Sequence, residues 1–328
     1  MILVTGGAGY IGSHVVKDLA DRGYSVIVID NLSTGHLKAV DQRAIFIHGD
    51  VRDSKNLDNI FSSFPIEAVM HFAANCLVGE SVRSPLKYYQ NNVETSLTLI
   101  QKMIDFHINK FIFSSTCATY GVPNCTFIHE TLPANPINPY GKSKLFVESI
   151  LQDVSKSDPF HSVSLRYFNA AGCNEKGVLG EDHKPETHLI PNVLNHLQGK
   201  TKCIEVFGND YDTPDGTCIR DYIHVSDISL AHILALESLL KCSNHSLTEV
   251  FNVGNTRGFS VLEIIHKCEE VTGLKATIKI SPRRQGDPPH LVASSKKIQE
   301  FLGWMPRFSI EEMIQTAWNW KYKNPDGY

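Results

Sequence analysis

The residues of this chain best suited to chemistry are a phenol and an ammonium one helical turn apart. In Asn138-Pro139-Tyr140-Gly141-Lys142-Ser143-Lys144, an N-cap type residue precedes a proline suited to the first helical position, so Tyr140 falls in the first turn of a helix. Tyr140 and Lys144 then stand at i and i+4 on one face. A phenol with a reference pKa near ~10 is a poor base at neutral pH, but a nearby ammonium and a helix N-terminus both favour the phenolate. The pair reads as a tunable proton acceptor; the competing reading is two exposed polar residues on an amphipathic helix. Ser114-Ser115-Thr116 closes the apolar run Phe111-Ile112-Phe113 and offers a hydroxyl able to share a hydrogen bond with a substrate oxygen and with Tyr140.

A second constellation points to what such a base would work beside. Gly6-Gly7-Ala8-Gly9-Tyr10-Ile11-Gly12 follows the first apolar run, Ile2-Leu3-Val4, and opens a helical stretch. Glycines there permit a tight turn, let the backbone approach a pyrophosphate and let the helix sit close on the sheet, with the phosphate at the helix N-terminus. Asp30 ends the second run about 20 residues on, as ribose recognition requires. A carboxylate repels a 2′-phosphate and Asn31, not an arginine, follows it, so NAD is expected rather than NADP. Bound NAD would add the cationic nicotinamide to the groups favouring the Tyr140 phenolate. Asp50-Val51 and Phe72-Ala73-Ala74 follow later apolar runs, where the carboxyl ends of parallel strands place ligand-facing groups.

The elements that must position these residues alternate. Short β-branched runs at Ile2–Val4, Ser25–Ile29, Ala44–Ile47, Ala68–Phe72, Phe111–Phe113 and Val163–Phe168 are separated by helical spacings, such as Ile11, Val15, Val16 and Leu19, or Leu86, Tyr89, Val93, Leu97, Ile100 and Ile104. This rhythm predicts an α/β fold, a Rossmann-like doubly wound parallel sheet covered on both faces. Beyond about residue 170 the rhythm breaks at Gly172–His188. The expected division is an NAD-binding domain over 1–172 and a smaller mixed α/β substrate domain over 173–328 that forms one wall of a cleft, with the chain free to cross back.

Composition narrows the partners. With 328 residues, 42% of them hydrophobic, the chain is long enough for two domains. A net charge of −4 without a long basic run argues against nucleic-acid or anionic-membrane binding. No run reaches the roughly 18 apolar residues of a membrane helix, and no secretory leader is legible. The eight cysteines contain no C-x-x-C pair, so no metal site is expected and they read as reduced thiols of a cytosolic protein.

Taken with the motifs Val78-Gly79-Glu80-Ser81, Asn91-Asn92, Arg166-Tyr167-Phe168-Asn169-Ala170-Ala171-Gly172, Phe207-Gly208-x-Asp210-Tyr211, Asp215-Gly216-Thr217, Arg220-Asp221-Tyr222-Ile223-His224 and Arg283-Arg284-x-Gly286-Asp287, the chain resembles, over essentially its whole length, the UDP-glucose 4-epimerases of the extended short-chain dehydrogenase/reductase family. By that resemblance, Tyr140 takes the proton from the sugar 4-hydroxyl while the C4 hydride passes to tightly held NAD. Thr116 assists, and Lys144 binds the nicotinamide ribose and lowers the Tyr140 pKa. The 4-keto sugar then turns over and receives the hydride on its other face, interconverting UDP-galactose and UDP-glucose. The resemblance also implies cofactor contacts from Gly6, Gly9, Tyr10, Ile11 and Gly12, from Asp30, Asn31, Leu32, Ser33, Thr34 and Gly35, and from Asp50, Val51, Phe72, Ala73, Ala74, Asn91, Ser114 and Phe168. It assigns diphosphate contacts to Asn169, Arg220 and Arg284, uridine contacts to Leu189, Val206 and Phe207, and further substrate contacts to Asp287 and Leu291. It implies a homodimer through the helices around Leu86–Ile104 and Pro139–Leu151.

Three positions depart from the family pattern. Cys76 stands where many members have lysine, Thr116 where serine is usual, and Leu291 where some members carry a tyrosine against the sugar C2 substituent. The smaller Leu291 leads to the expectation that UDP-GlcNAc and UDP-GalNAc also react. The rival activity, a nucleotide-sugar 4,6-dehydratase, needs an Asp-Glu pair after the threonine, where this chain has Cys117-Ala118. A non-catalytic NAD-binding module would have no use for Tyr140 with Lys144.

Overall fold

The computed structural model describes residues 1–242, 247–284 and 287–328; Gly286 of the Arg283–Asp287 motif lies outside them. The chain runs β1 (Ile2–Thr5), α1 (Tyr10–Asp21), β2 (Val26–Asp30), β3 (Ile45–His48), α2 (Ser54–Ser63), β4 (Ala68–His71), α3 (Val78–Arg83), α4 (Pro85–Tyr88), α5 (Thr95–Asp105), β5 (Lys110–Thr116), α6 (Pro139–Ser157), β6 (His161–Tyr167) and β7 (Asn169–Ala171). It continues with α7 (Leu189–Leu197), β8 (Ile204–Phe207), β9 (Ile219–His224), α8 (Val225–Lys241), β10 (Thr248–Val253), β11 (Gly258–Ser260), α9 (Val261–Thr272), β12 (Ile278–Ser281), β13 (His290–Leu291), α10 (Lys296–Leu302) and α11 (Ile310–Lys323).

A seven-stranded sheet in the order β10-β6-β5-β4-β1-β2-β3 carries the first half. All its pairings are parallel, so this is the doubly wound sheet that the alternating runs predict. Strand side chains alternate between faces, and the two cores follow from that period. Ile2 and Val4 of β1 pack with Val15, Val16 and Leu19 of α1 and with Ile228 and Leu236 of α8. Leu3, between them, packs on the other side with Leu57 of α2, Leu99 of α5 and Val147 of α6.

Residues 225–253 return from the second half, since α8 covers one face of the large sheet and β10 adds its seventh strand beside β6. The smaller layer is mixed. β9 runs antiparallel to β11 and parallel to β13 and β7, and β8 pairs with β12. Around it α7, α9 and α11 pack through Ile190, Ile264, Met313 and Trp320.

The periodic stretch from Leu86 to Ile104 is not one regular helix. A π-helical turn, Tyr89–Glu94, separates α4 from α5. Such a bulge is common at functional sites. Here it brings Asn91 to the cleft, while the buried Asn92 amide donates to Ser143 Oγ of α6 at 3.0 Å.

Candidate active site

One cleft of about 450 Å³ opens along the carboxyl ends of β1, β2, β4, β5 and β6, where a doubly wound sheet receives its ligand. Its first wall is the turn between β1 and α1. Gly6 has φ +72°, and a Cβ there would stand 2.5 Å from the Ala73 nitrogen. A Cβ on Gly12 would stand 2.3 Å from the Gly6 carbonyl oxygen. Only glycine lets this turn and α1 close so tightly, and it is this closure that forms the phosphate cradle.

Asp30 is buried, and its two carboxylate oxygens accept from the backbone N–H groups of Ala8 at 3.0 Å and Leu32 at 2.8 Å. An ionised carboxylate offers about four acceptor sites, so lone pairs remain for a ribose diol. Asp50 accepts from Asn31 Nδ2 at 3.0 Å and from Arg52, whose guanidinium holds its carboxyl below the usual carboxylate range. The cradle and the diol acceptor fit NAD.

The chemical centre lies at the carboxyl end of β5, beside the start of α6. Asn138 caps α6, its side-chain oxygen accepting the Gly141 N–H at 2.8 Å, and this sets Tyr140 in the first turn. Tyr140, Lys144 and Glu148 descend one buried stripe of α6. Lys144 Nζ donates to the Ser114 carbonyl oxygen at 2.7 Å and lies 4.8 Å from the centre of the Phe113 ring. Burial pushes the lysine down to about 8, against Cys76 and Glu148, which favour its charge. Burial likewise drives the Tyr140 phenol well above its ordinary value, with Tyr167 and Cys76 adding to the rise and a hydrogen bond with Thr116 opposing it. Lys144 is thus turned onto the strand end in this state, and of the helpers expected from sequence it is the Thr116 hydroxyl that engages the phenol.

Several supports were not read from the sequence. The buried Glu148 binds the Arg166 guanidinium of β6 through both carboxylate oxygens and accepts from Ser115 Oγ, tying α6 to β5 and β6 beneath the centre. Its signal was available: Glu148 lies four residues after Lys144, as Lys144 does after Tyr140. His71 lies between Thr5 Oγ1 at 2.7 Å and Ser96 Oγ at 3.1 Å, held neutral by burial. Tyr167 meets Ser114 Oγ at 2.5 Å and lines the cleft.

The expected cofactor residues line this one cleft, Leu32 excepted, as do Thr116, Asn169, Arg220, Asp287 and Leu291. Arg220 donates to Asp287 and to the Pro288 carbonyl oxygen at 2.7 Å, which fixes its guanidinium on the cleft wall. Leu189, Val206, Phe207 and Arg284 lie off the cleft wall. On β8 the inward positions are Ile204 and Val206, and Val206 is spent in the core of the smaller layer. Arg284 is exposed and stacks 4.0 Å over the Phe207 ring. At the mouth of the cleft, burial disfavours the His183 cation, yet Glu181 and Glu186 outweigh it and push the ring up to about 10.

The family profile described as GDP-mannose 4,6 dehydratase matches residues 3–317. A UDP-glucose 4-epimerase of Halalkalibacterium halodurans is 51% identical, the match covering 100% of this chain and 97% of that protein. The Bifidobacterium longum UDP-glucose 4-epimerase, solved with NAD+ and UDP, is 39% identical with a TM-score of 0.94, covering 100% of this chain and 99% of that one. The UDP-Glc/GlcNAc 4-epimerase of Campylobacter jejuni is 42% identical with a TM-score of 0.85, covering 98% and 99%. With likeness of this degree along the whole of both chains, and with the glycine cradle, Asp30 and the Tyr140–Lys144 pair assembled in one cleft, the chain belongs to the UDP-glucose 4-epimerases of the extended short-chain dehydrogenase/reductase family.

Proposed function

We propose that the protein interconverts UDP-galactose and UDP-glucose by transient oxidation at C4 of the sugar. The observation carrying this reading is that Tyr140, Thr116 and Arg220 line one cleft with the glycine cradle and Asp30. NAD, when bound, supplies a reversible hydride acceptor for C4. Tyr140 and Thr116 take the proton of the sugar 4-hydroxyl and later return one to the new hydroxyl. Lys144 and the N-terminus of α6 stabilise the phenolate that this requires. Arg220 and Asn169 hold the diphosphate, a fork suited to paired phosphate oxygens, while the hexose is gripped weakly enough to present either face. The cofactor and substrate residues named from sequence keep those roles in this reading, although Arg284 of the diphosphate set and Leu189, Val206 and Phe207 of the uridine set lie off the cleft wall.

Beside Thr116 there is no acid–base pair to expel water. Ala118 has none, and burial pushes the Cys117 thiol up to about 12, which disfavours dehydration chemistry. Leu291 lines the cleft and is smaller than the tyrosine some relatives carry there, which supports turnover of UDP-GlcNAc and UDP-GalNAc as well.

The same reading has the enzyme acting as a homodimer in the cytoplasm. Val82, Leu86, Leu97 and Phe146 leave an exposed apolar face on α3–α6, with Tyr89 stacked on Phe146, which a second copy would cover. No helix among the described residues is long and apolar enough to cross a membrane, and none of the eight cysteines is in a disulfide. The test is to supply UDP-galactose to purified protein without added NAD and to assay UDP-glucose; UDP-GlcNAc is supplied in parallel. Interconversion without exogenous cofactor is expected, and a 4-keto-6-deoxy product would replace this reading with dehydration.

A further inference from the structure

Apart from the Tyr140 centre, the densest group of ligating side chains stands in the loop between β7 and α7. Among the described residues, Glu181, His183, Glu186 and His188 each offer one N or O atom, all within 4.8 Å of one another. His188 Nδ1 lies 2.8 Å from Glu181 Oε1 and 3.1 Å from Glu186 Oε1. His183 Nδ1 lies 3.2 Å from Glu181 Oε1 and 3.8 Å from Glu186 Oε2. An ion bound tetrahedrally with bonds of roughly 2.0–2.2 Å sets its ligand atoms roughly 3.3–3.6 Å apart. The spacings, one of them through the second Glu186 oxygen, fall on both sides of that edge, so the side chains need shift little to close on an ion.

The donor types agree with the geometry. Two imidazoles and two carboxylates suit zinc, whereas calcium and magnesium favour oxygen alone. Two carboxylates with two neutral rings also balance a divalent charge. Glu181 is buried, and Glu186 is oriented by the N–H groups of Thr187 at 2.7 Å and His188 at 2.8 Å, the kind of outer support that metal ligands receive.

We propose that Glu181, His183, Glu186 and His188 form a structural zinc site that fastens the loop between β7 and α7 against the cofactor turn. The attachment runs through His183, whose ring meets the Tyr10 ring edge-on with centroids 6.1 Å apart. Tyr10 follows the last residue of the glycine turn before α1, and its hydroxyl donates to the Gly172 carbonyl oxygen at 2.5 Å, where the loop begins. Binding exchanges two histidinium–glutamate ion pairs for four metal bonds and releases the ring protons, so charge is conserved. The site closes the loop on itself within residues 181–188, and its Glu181, His183 and His188 also line the cleft that holds Tyr140. It also departs from the sequence reading, which sought metal ligands among the cysteines.

The experiment takes the full-length protein, strips it with a chelator and titrates ZnCl₂ by calorimetry, with Co²⁺ as a spectroscopic stand-in. One equivalent of zinc is expected, together with a Co²⁺ spectrum lacking thiolate charge-transfer bands and a zinc-dependent rise in the unfolding midpoint. His188→Ala and Glu181→Gln should each weaken zinc binding by about 100-fold or more and abolish that rise. His188, 45% exposed, is the position whose replacement disturbs packing least, and near-UV circular dichroism of the metal-free variant checks its fold. Failure of the wild type to bind stoichiometrically, equal affinity in the folded His188→Ala protein, or thiolate bands with Co²⁺ would each overturn the proposal and leave two ion pairs in its place.

Discussion

At the scale of single residues, the site works by placing an acid of high pKa where its charged form is stabilised only on demand. Burial holds the Tyr140 phenol protonated, and Thr116 is the group that pulls against it. Tyr140→Phe removes the transferable proton while keeping the ring in its place against Tyr88, 6.4 Å between centroids. It should lower kcat by about 10²–10⁴ with NAD still bound, as measured by turnover of UDP-galactose and by the cofactor released on denaturation. Under the proposed function, Leu291 on the cleft wall is the residue that sets sugar preference. Leu291→Tyr should lower kcat/KM for UDP-GlcNAc at least about tenfold more than for UDP-galactose, since it fills space needed by the N-acetyl group alone; a parallel loss on both substrates would place the C2 substituent elsewhere.

At the scale of elements, one turn and one cap carry most of the positioning. In the first, Gly12 packs its α-carbon against the Gly6 carbonyl, backbone against backbone, so no side chain can yield. Gly12→Ala should open the turn and cut the NAD retained per chain through gel filtration, even where the protein still folds. In the second, Asn138 satisfies an otherwise unpaired N–H of α6. Asn138→Ala should cost about 1 kcal/mol of stability by chemical denaturation and lower activity as well, because Tyr140 lies two residues inside the cap. The buried Glu148–Arg166 pair below them fixes α6 to the sheet, and an ion pair of this kind is costly to break from one side.

At the scale of the whole molecule, acid should loosen the fold through its buried histidines. His14, His71, His224 and His232 are buried, and burial above all holds them down to about 4, 3, 3 and 4. As the pH falls below the unfolded value of about 6.5, the unfolded chain takes up protons that the native rings refuse, so stability is lost. Asp221, which burial pushes up to about 7, titrates in the opposite sense and cancels part of the effect. Each uncancelled histidine contributes a slope of roughly 1.4 kcal/mol per pH unit, so the urea midpoint should fall steadily between pH 6.5 and 4.5; a flat profile there would show the rings to be charged in the native state. The sequence by itself determined the parallel sheet, the glycine cradle, the Asp30 acceptor and the Tyr140–Lys144 stripe, because each is written in local spacing of two, four or about twenty residues. Only the tertiary structure decided what depends on long-range packing. It brought β10 from residue 248 to lie beside β6, turned Lys144 onto the Ser114 carbonyl, packed Val206 into the core of the smaller layer, and folded Glu181 and His188 back on one another. Those outcomes follow from which buried faces must meet and which buried polar groups must find partners, and neither is a property of any short stretch of chain.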